Sequence, residues 1–113
     1  MKKAPFVIAL IGMTSGAQAQ TKPTRFWNLT ANTITVLQMS PSGKQEWGIN
    51  QCKNDHDGTV DHGERLRITD VNAGRYDVRI VDKAGRTCIV RDVDVKEAAI
   101  FTIEEKQLTD CHK

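Results

Sequence analysis

The densest chemistry in the chain lies in residues 53–64: Lys53-Asn54-Asp55-His56-Asp57-Gly58-Thr59-Val60-Asp61-His62-Gly63-Glu64. Calcium takes several oxygen ligands from a loop that turns sharply at a central glycine. With Gly58 at that turn, Asp55, Asp57, Asp61 and Glu64 fall on ligand places of a calcium loop, and Val60 on its apolar place. These four carboxylates are the metal-ligand candidates. Lys53 stands at the first place, where an Asp ligand is needed, and sets a positive charge beside the ion.

His56 and His62, with Cys52 nearby, offer imidazole and thiolate, the ligands of zinc or copper. Their spacing matches no defined site, and exposed loop histidines are the simpler reading. No other cofactor is implied. A Cys-x-x-Cys pair, a Gly-x-Ser-x-Gly elbow, a phosphate-binding glycine loop and a His-Glu-x-x-His helix are all absent from the sequence. The chain is therefore expected not to be an enzyme, and no catalytic residue is assigned. Asn28-Leu29-Thr30 fits a glycosylation acceptor, read as a chance match in a chain with a bacterial type of export signal.

The elements that must position these groups follow an export segment. Lys2 and Lys3, an apolar run over residues 4–13 and Ala17-Gln18-Ala19 form the three parts of a cleaved signal peptide, residues 1–19. The run is too short to span a bilayer, which takes about 20 residues, and no later segment is apolar enough to do so. Residues 20–113 form a single domain in this reading, placed in the periplasm or secreted. The 113-residue chain has 16 Lys+Arg against 14 Asp+Glu and a formal charge of +2. Lys2 and Lys3 account for all of that +2. The remaining chain is neutral, without the basic excess expected of a nucleic-acid binder.

After residue 19 the chain holds 8 Val and 7 Ile against 4 Leu and 5 Ala. β-branched side chains favour a pleated sheet over a helix. Alternation marks strands at residues 65–69, 76–81, 87–95 and 101–104, and two more at 25–30 and 33–39. Asp82-Lys83-Ala84-Gly85 reads as a hairpin turn. The alternation slips between Val90 and Val93, the mark of a bulge. Residues 46–62 read as a long loop with a short helical turn, and the tail after Glu104 as ending in another. The expected fold is all-β: a small antiparallel β-sandwich or partly open barrel of about six strands. Its core candidates are Trp27, Leu29, Leu37, Leu66, Ile68, Tyr76, Val78, Ile80, Val93, Phe101 and Ile103, with Trp47 over one end.

Three cysteines in an oxidising compartment allow one bridge. Cys88–Cys111 is preferred, because a strand, a turn and a short return bring the two together. Cys52–Cys88 is the alternative. In the preferred case Cys52 is a free thiol, open to a disulfide-linked dimer.

The acidic loop resembles an EF-hand loop in five places, without the entering helix. The chain as a whole resembles a group of small exported bacterial proteins of unassigned function. The shared features are Asn28 through Thr35, Ser40-Pro41-Ser42-Gly43, Trp47-Gly48, Gly63-Glu64, Tyr76-Asp77-Val78-Arg79 and the ending Leu108-Thr109-Asp110-Cys111. The resemblance implies a compact periplasmic β-domain and carries over no catalytic residue. Relative to shorter members, residues 53–59 look like an insertion. The expected function is that of a non-enzymatic accessory or protein-interaction domain, contacting another periplasmic or envelope protein. The alternative is calcium binding through residues 53–64.

Overall fold

The computed structural model describes residues 22–113. The export segment, residues 1–19, lies outside the described residues. Seven strands form two sheets: β1 (Thr24–Leu29), β2 (Ile34–Pro41), β3 (Arg65–Ile68), β4 (Gly74–Asp82), β5 (Thr87–Val95), β6 (Ile100–Glu104) and β7 (Cys111–His112). One sheet has the order β3-β1-β6, the other β2-β4-β5-β7. The two pack as a small sandwich and do not close into a barrel. Short 3-10 turns at Gln51–Asn54 and Glu105–Gln107 stand where helical turns are expected.

The sandwich is not wholly antiparallel. β1 pairs with β3 antiparallel but with β6 parallel, Phe26 beside Phe101 and Trp27 beside Thr102. β4 and β5 form the expected hairpin. Their register shifts where Tyr76 faces Val93 and Val78 faces Val90. The extra residue on β5 turns Asp92 to a φ of 58°. Asp77, beside the bulge, is buried. Its carboxylate accepts the Asp92 and Gly43 N–H groups, both at 3.0 Å.

The core is Phe26, Ile34, Leu37, Met39, Leu66, Ile68, Val78, Ile80, Cys88, Val90, Val95, Phe101 and Ile103, with Cys52 and Val60 from the long loop. Leu37, Leu66, Ile68, Val78, Ile80, Phe101 and Ile103 are as expected, while Tyr76 and Val93 pack at its border. Trp27 and Leu29 are corrected. β1 turns Phe26 and Asn28 inward, and Trp27 and Leu29 take the opposite, half-buried face. Both alternating sets on this strand carry a large apolar residue, so period two alone does not choose between them. The choice rests on Asn28, which is fully buried and fully bonded. Its Nδ2 donates to Val60 O (2.9 Å) and Asn32 O (3.1 Å). Its Oδ1 accepts from the Thr30 N–H (2.9 Å) and hydroxyl (2.7 Å). A buried amide is tolerable only when satisfied in this way. Trp47 is likewise not a core cover: it is half-buried on the far side of the larger sheet, beneath the Arg79 guanidinium at 4.4 Å.

Candidate functional site

The acidic loop does not gather its carboxylates. Asp55 and Asp57 form one pair and Asp61 and Glu64 another, held by bonds within the loop and by one from Thr33. Asp55 Oδ2 accepts the Asp57 N–H (3.3 Å), and Asp57 Oδ1 accepts the Thr59 N–H and hydroxyl (both 3.1 Å). Glu64 Oε1 accepts the Asp61 N–H (2.8 Å), and Asp61 Oδ1 accepts the Thr33 hydroxyl (2.9 Å). The hydrogen bond between the Asp55 and Asp57 carboxyls raises the pKa of Asp55 and, with the Thr59 donors, lowers that of Asp57 to about 2. Among the described residues no three His, Cys, Asp or Glu side chains come together as a metal-ligand group.

The same holds for the histidine and thiol candidates. His56 points to solvent, with its nearest acid Asp55 at 3.7 Å. His62 Nδ1 donates to Thr30 O at 2.7 Å. Cys88 and Cys111 form the expected disulfide across β5 and β7, which removes Cys52–Cys88 as the bridge. Cys52 is the free cysteine, as expected, but it is fully enclosed. Burial pushes its thiol up to about 11, with the Asp55 charge adding to the effect. A dimer linked through Cys52 is therefore unsupported: an enclosed, protonated sulfur is not a reactive one.

The sites left open are at the sheet edges and on one face. Three edges are closed. On β3, Asn54 Nδ2 donates to Arg67 O (2.8 Å), while Gln51 takes the Thr69 N–H (3.0 Å) and donates to Thr69 O (2.9 Å). On β2, Asn50 Oδ1 accepts the Leu37 N–H (3.0 Å), Gly48 N–H donates to Met39 O (2.9 Å), and Val60 exchanges both bonds with Ile34. β7 is two residues long and is fastened by the disulfide. The part of β5 running past it carries the Asp92 bulge and the charges of Arg91, Asp92 and Asp94. Bulges and charges are the usual guards on an edge.

The edge of β6 has less. Arg25 N–H donates to Ala99 O at 3.0 Å. Successive residues of a strand present their backbone groups to opposite sides. Phe101 and Ile103 thus bond toward β1, and Ile100, Thr102 and Glu104 turn outward. Gln107 Oε1 takes the Glu104 N–H (2.8 Å). Among the described residues nothing takes the outward groups of Ile100 or Thr102. Ile100 is also 47% exposed, one of two large apolar side chains left in water among the described residues.

The outer face of this sheet is cationic. Arg25 lies directly opposite Arg67, and Trp27 opposite Arg65. The Arg65 guanidinium sits over the Trp27 ring at 4.4 Å, and Trp27 Nε1 donates to Gly63 O (2.9 Å). Among the described residues no carboxylate pairs with Arg25, Arg65 or Arg67. A groove of about 430 Å³ opens where this face meets the start of β6, lined by Lys22, Pro23, Arg25, Ala98, Ala99 and Ile100. The Arg65-x-Arg67 alternation was a visible signal of a basic face. The facing of Arg25 and Arg67 depends on register and was not.

Comparison with protein-family models, curated proteins and solved structures finds no match for this chain. The functional reading rests on the geometry and the sequence. Among the described residues no helix is long and apolar enough to cross a membrane.

Proposed function

We propose that this is an exported, non-enzymatic accessory domain that binds another periplasmic or envelope protein by taking a strand of that partner onto the edge of β6. The observation that carries the reading is the contrast among edges. Asn50, Gln51 and Asn54 from one loop close two edges, a disulfide fastens a third, and β6 keeps outward backbone groups at Ile100 and Thr102 beside an exposed apolar side chain. An uncovered edge is an aggregation hazard, and an edge that takes a partner strand turns the same groups into affinity. The Cys88–Cys111 bridge and the signal-like N-terminus support export to an oxidising compartment.

A photo-cross-linking side chain placed at Thr102 in periplasm tests the reading. One discrete adduct is expected from that position. None is expected from the same group at Lys83, in the turn of the larger sheet, and the adduct should disappear when Ile100 is also changed to Pro. Proline removes an outward N–H that the sheet itself does not use. No adduct at Thr102, or one equally strong at Lys83, would overturn it.

A further inference from the structure

We propose that the groove at the start of β6 receives the carboxylate-bearing C-terminal end of an extended peptide, held by Lys22 and Arg25. This deepens the strand-addition reading and rests on it. β6 runs from Ile100 to Glu104, so the groove lies at its N-terminal end. A peptide pairing antiparallel to β6, the commoner arrangement, therefore finishes beside Ile100, inside the groove. There it meets the Lys22 and Arg25 side chains, with Arg67 standing directly across from Arg25. Two arginines facing each other on neighbouring strands repel. Among the described residues no carboxylate offsets that repulsion, so a terminal carboxylate or an Asp or Glu side chain supplies the missing charge. Arginine meets carboxylates through a planar fork of N–H donors. Ile100 supplies apolar contact at the groove's other wall, and Ala98 and Ala99 keep it open to a chain end.

Two fluorescein-labelled decapeptides test this by fluorescence anisotropy. Both have the same alternating Thr-Val body; one ends in Asp-Glu with a free carboxylate, the other in Lys-Asn with a C-terminal amide. The acid-ended peptide is expected to bind more tightly, to lose affinity as salt rises, and to shift the amide resonances of Ile100 and Thr102. The double substitution Lys22→Glu and Arg25→Glu, both on exposed side chains, should weaken it roughly three- to tenfold, as two exposed ion pairs imply. The amide-ended peptide should bind the double variant no worse than the wild type. Equal binding of both peptides, with shifts at Ile100 and Thr102, overturns the carboxylate groove and leaves strand addition standing. An acid preference that survives N-methylation of the peptide's backbone, with no shift at Thr102, overturns the strand-paired geometry. Binding of neither peptide at millimolar concentration overturns the proposal. So does a Lys22- and Arg25-dependent attachment to vesicles of 30% phosphatidylglycerol without peptide binding, which would make the face a membrane contact.

Discussion

Both sheets set an arginine over a tryptophan at the same distance, 4.4 Å, yet their outer faces are built on different terms. On the larger sheet every such cation has further partners. Arg79 is gripped by Gln38 Oε1 at 2.8 and 3.2 Å. Arg86 joins Asp82 and Glu105, each at 2.9 Å. Arg91 reaches Asp110 at 3.2 Å, and Arg75 lies 3.6 Å from Asp92. On the smaller sheet Arg25, Arg65 and Arg67 have no such partner among the described residues. A charge satisfied within the fold serves the fold. A row of like charges left facing one another raises its energy slightly and is available to something else.

The largest expected effect belongs to the tied side. Replacing Cys88 and Cys111 together by Ala opens a 23-residue loop and frees β7. The chain-entropy model puts that at about 3 kcal/mol, readable as a lower urea midpoint with β7 amides exchanging first. Arg86→Ala comes next. It strips a fully buried Asp82 side chain of its guanidinium while leaving the Ala84 and Arg86 N–H donors in place. A loss of about 2 kcal/mol is expected, since uncovering a buried charge is costly.

Acid should erase that second difference. Burial alone would raise the Asp82 pKa, but the Arg86 N–H and guanidinium outweigh it and hold the carboxyl below its usual range. The Arg86 guanidinium, followed by the Ala31 N–H, lowers Glu105 as well. Because both folded-state values lie below the unfolded ones, the stabilisation is fully present above the ordinary carboxylate range. It is lost as pH falls through the lowered values. Urea midpoints of wild type and Arg86→Ala should therefore converge on acidification from neutral pH, and parallel curves would show that the stabilisation does not depend on the charge of these carboxylates.

The smallest effect has the opposite sign. Arg67→Glu sets a carboxylate opposite Arg25 and should stabilise by a few tenths of a kcal/mol, while weakening the acid-ended peptide. A destabilised Arg67→Glu with unchanged peptide binding would break the contrast between the two faces. Cys52 gives a check independent of both faces: a thiol reagent at pH 8 should label the native protein only on the timescale of opening, and label it at once in urea.

The larger sheet was readable in the sequence because its signals are local. Tyr76, Val78 and Ile80 alternate with Asp77 and Arg79, Asp82-Lys83-Ala84-Gly85 supplies the turn, and the Val90–Val93 slip is the bulge itself. The Cys88–Cys111 pairing follows from that hairpin. β1 was misread because Trp27 and Leu29 look more like core than Phe26 and Asn28. What places Asn28 inside is a set of partners at Thr30, Asn32 and Val60 that alternation does not encode. The acidic loop is a related case. Its spacing suits a cation, but Asp57 and Glu64 spend their oxygens on neighbouring N–H groups, as Asp and Glu in turns often do. The loop's more visible contribution comes from its amides, Asn50, Gln51 and Asn54, which close the edges of β2 and β3. The open edge of β6 and the facing pair Arg25 and Arg67 exist only through register.

The placement of β1 between β3 and β6 also sets an order of assembly. β4 and β5 are joined by a short turn and can zip from it. β1 must wait for partners far along the chain, since Phe26 pairs with both Leu66 and Phe101. Loop closure over such separations is slow relative to a hairpin. The β4–β5 hairpin is thus the natural nucleus, and the three-stranded sheet the last part to form. Until β6 arrives, β1 is itself an unpaired edge carrying Phe26 and Trp27, and a strand from another molecule could occupy the place that β6 later takes. The surface proposed for partner binding is completed by the final step of folding, so a chain that stalls before it has an exposed seam at β1 and lacks the open edge of β6.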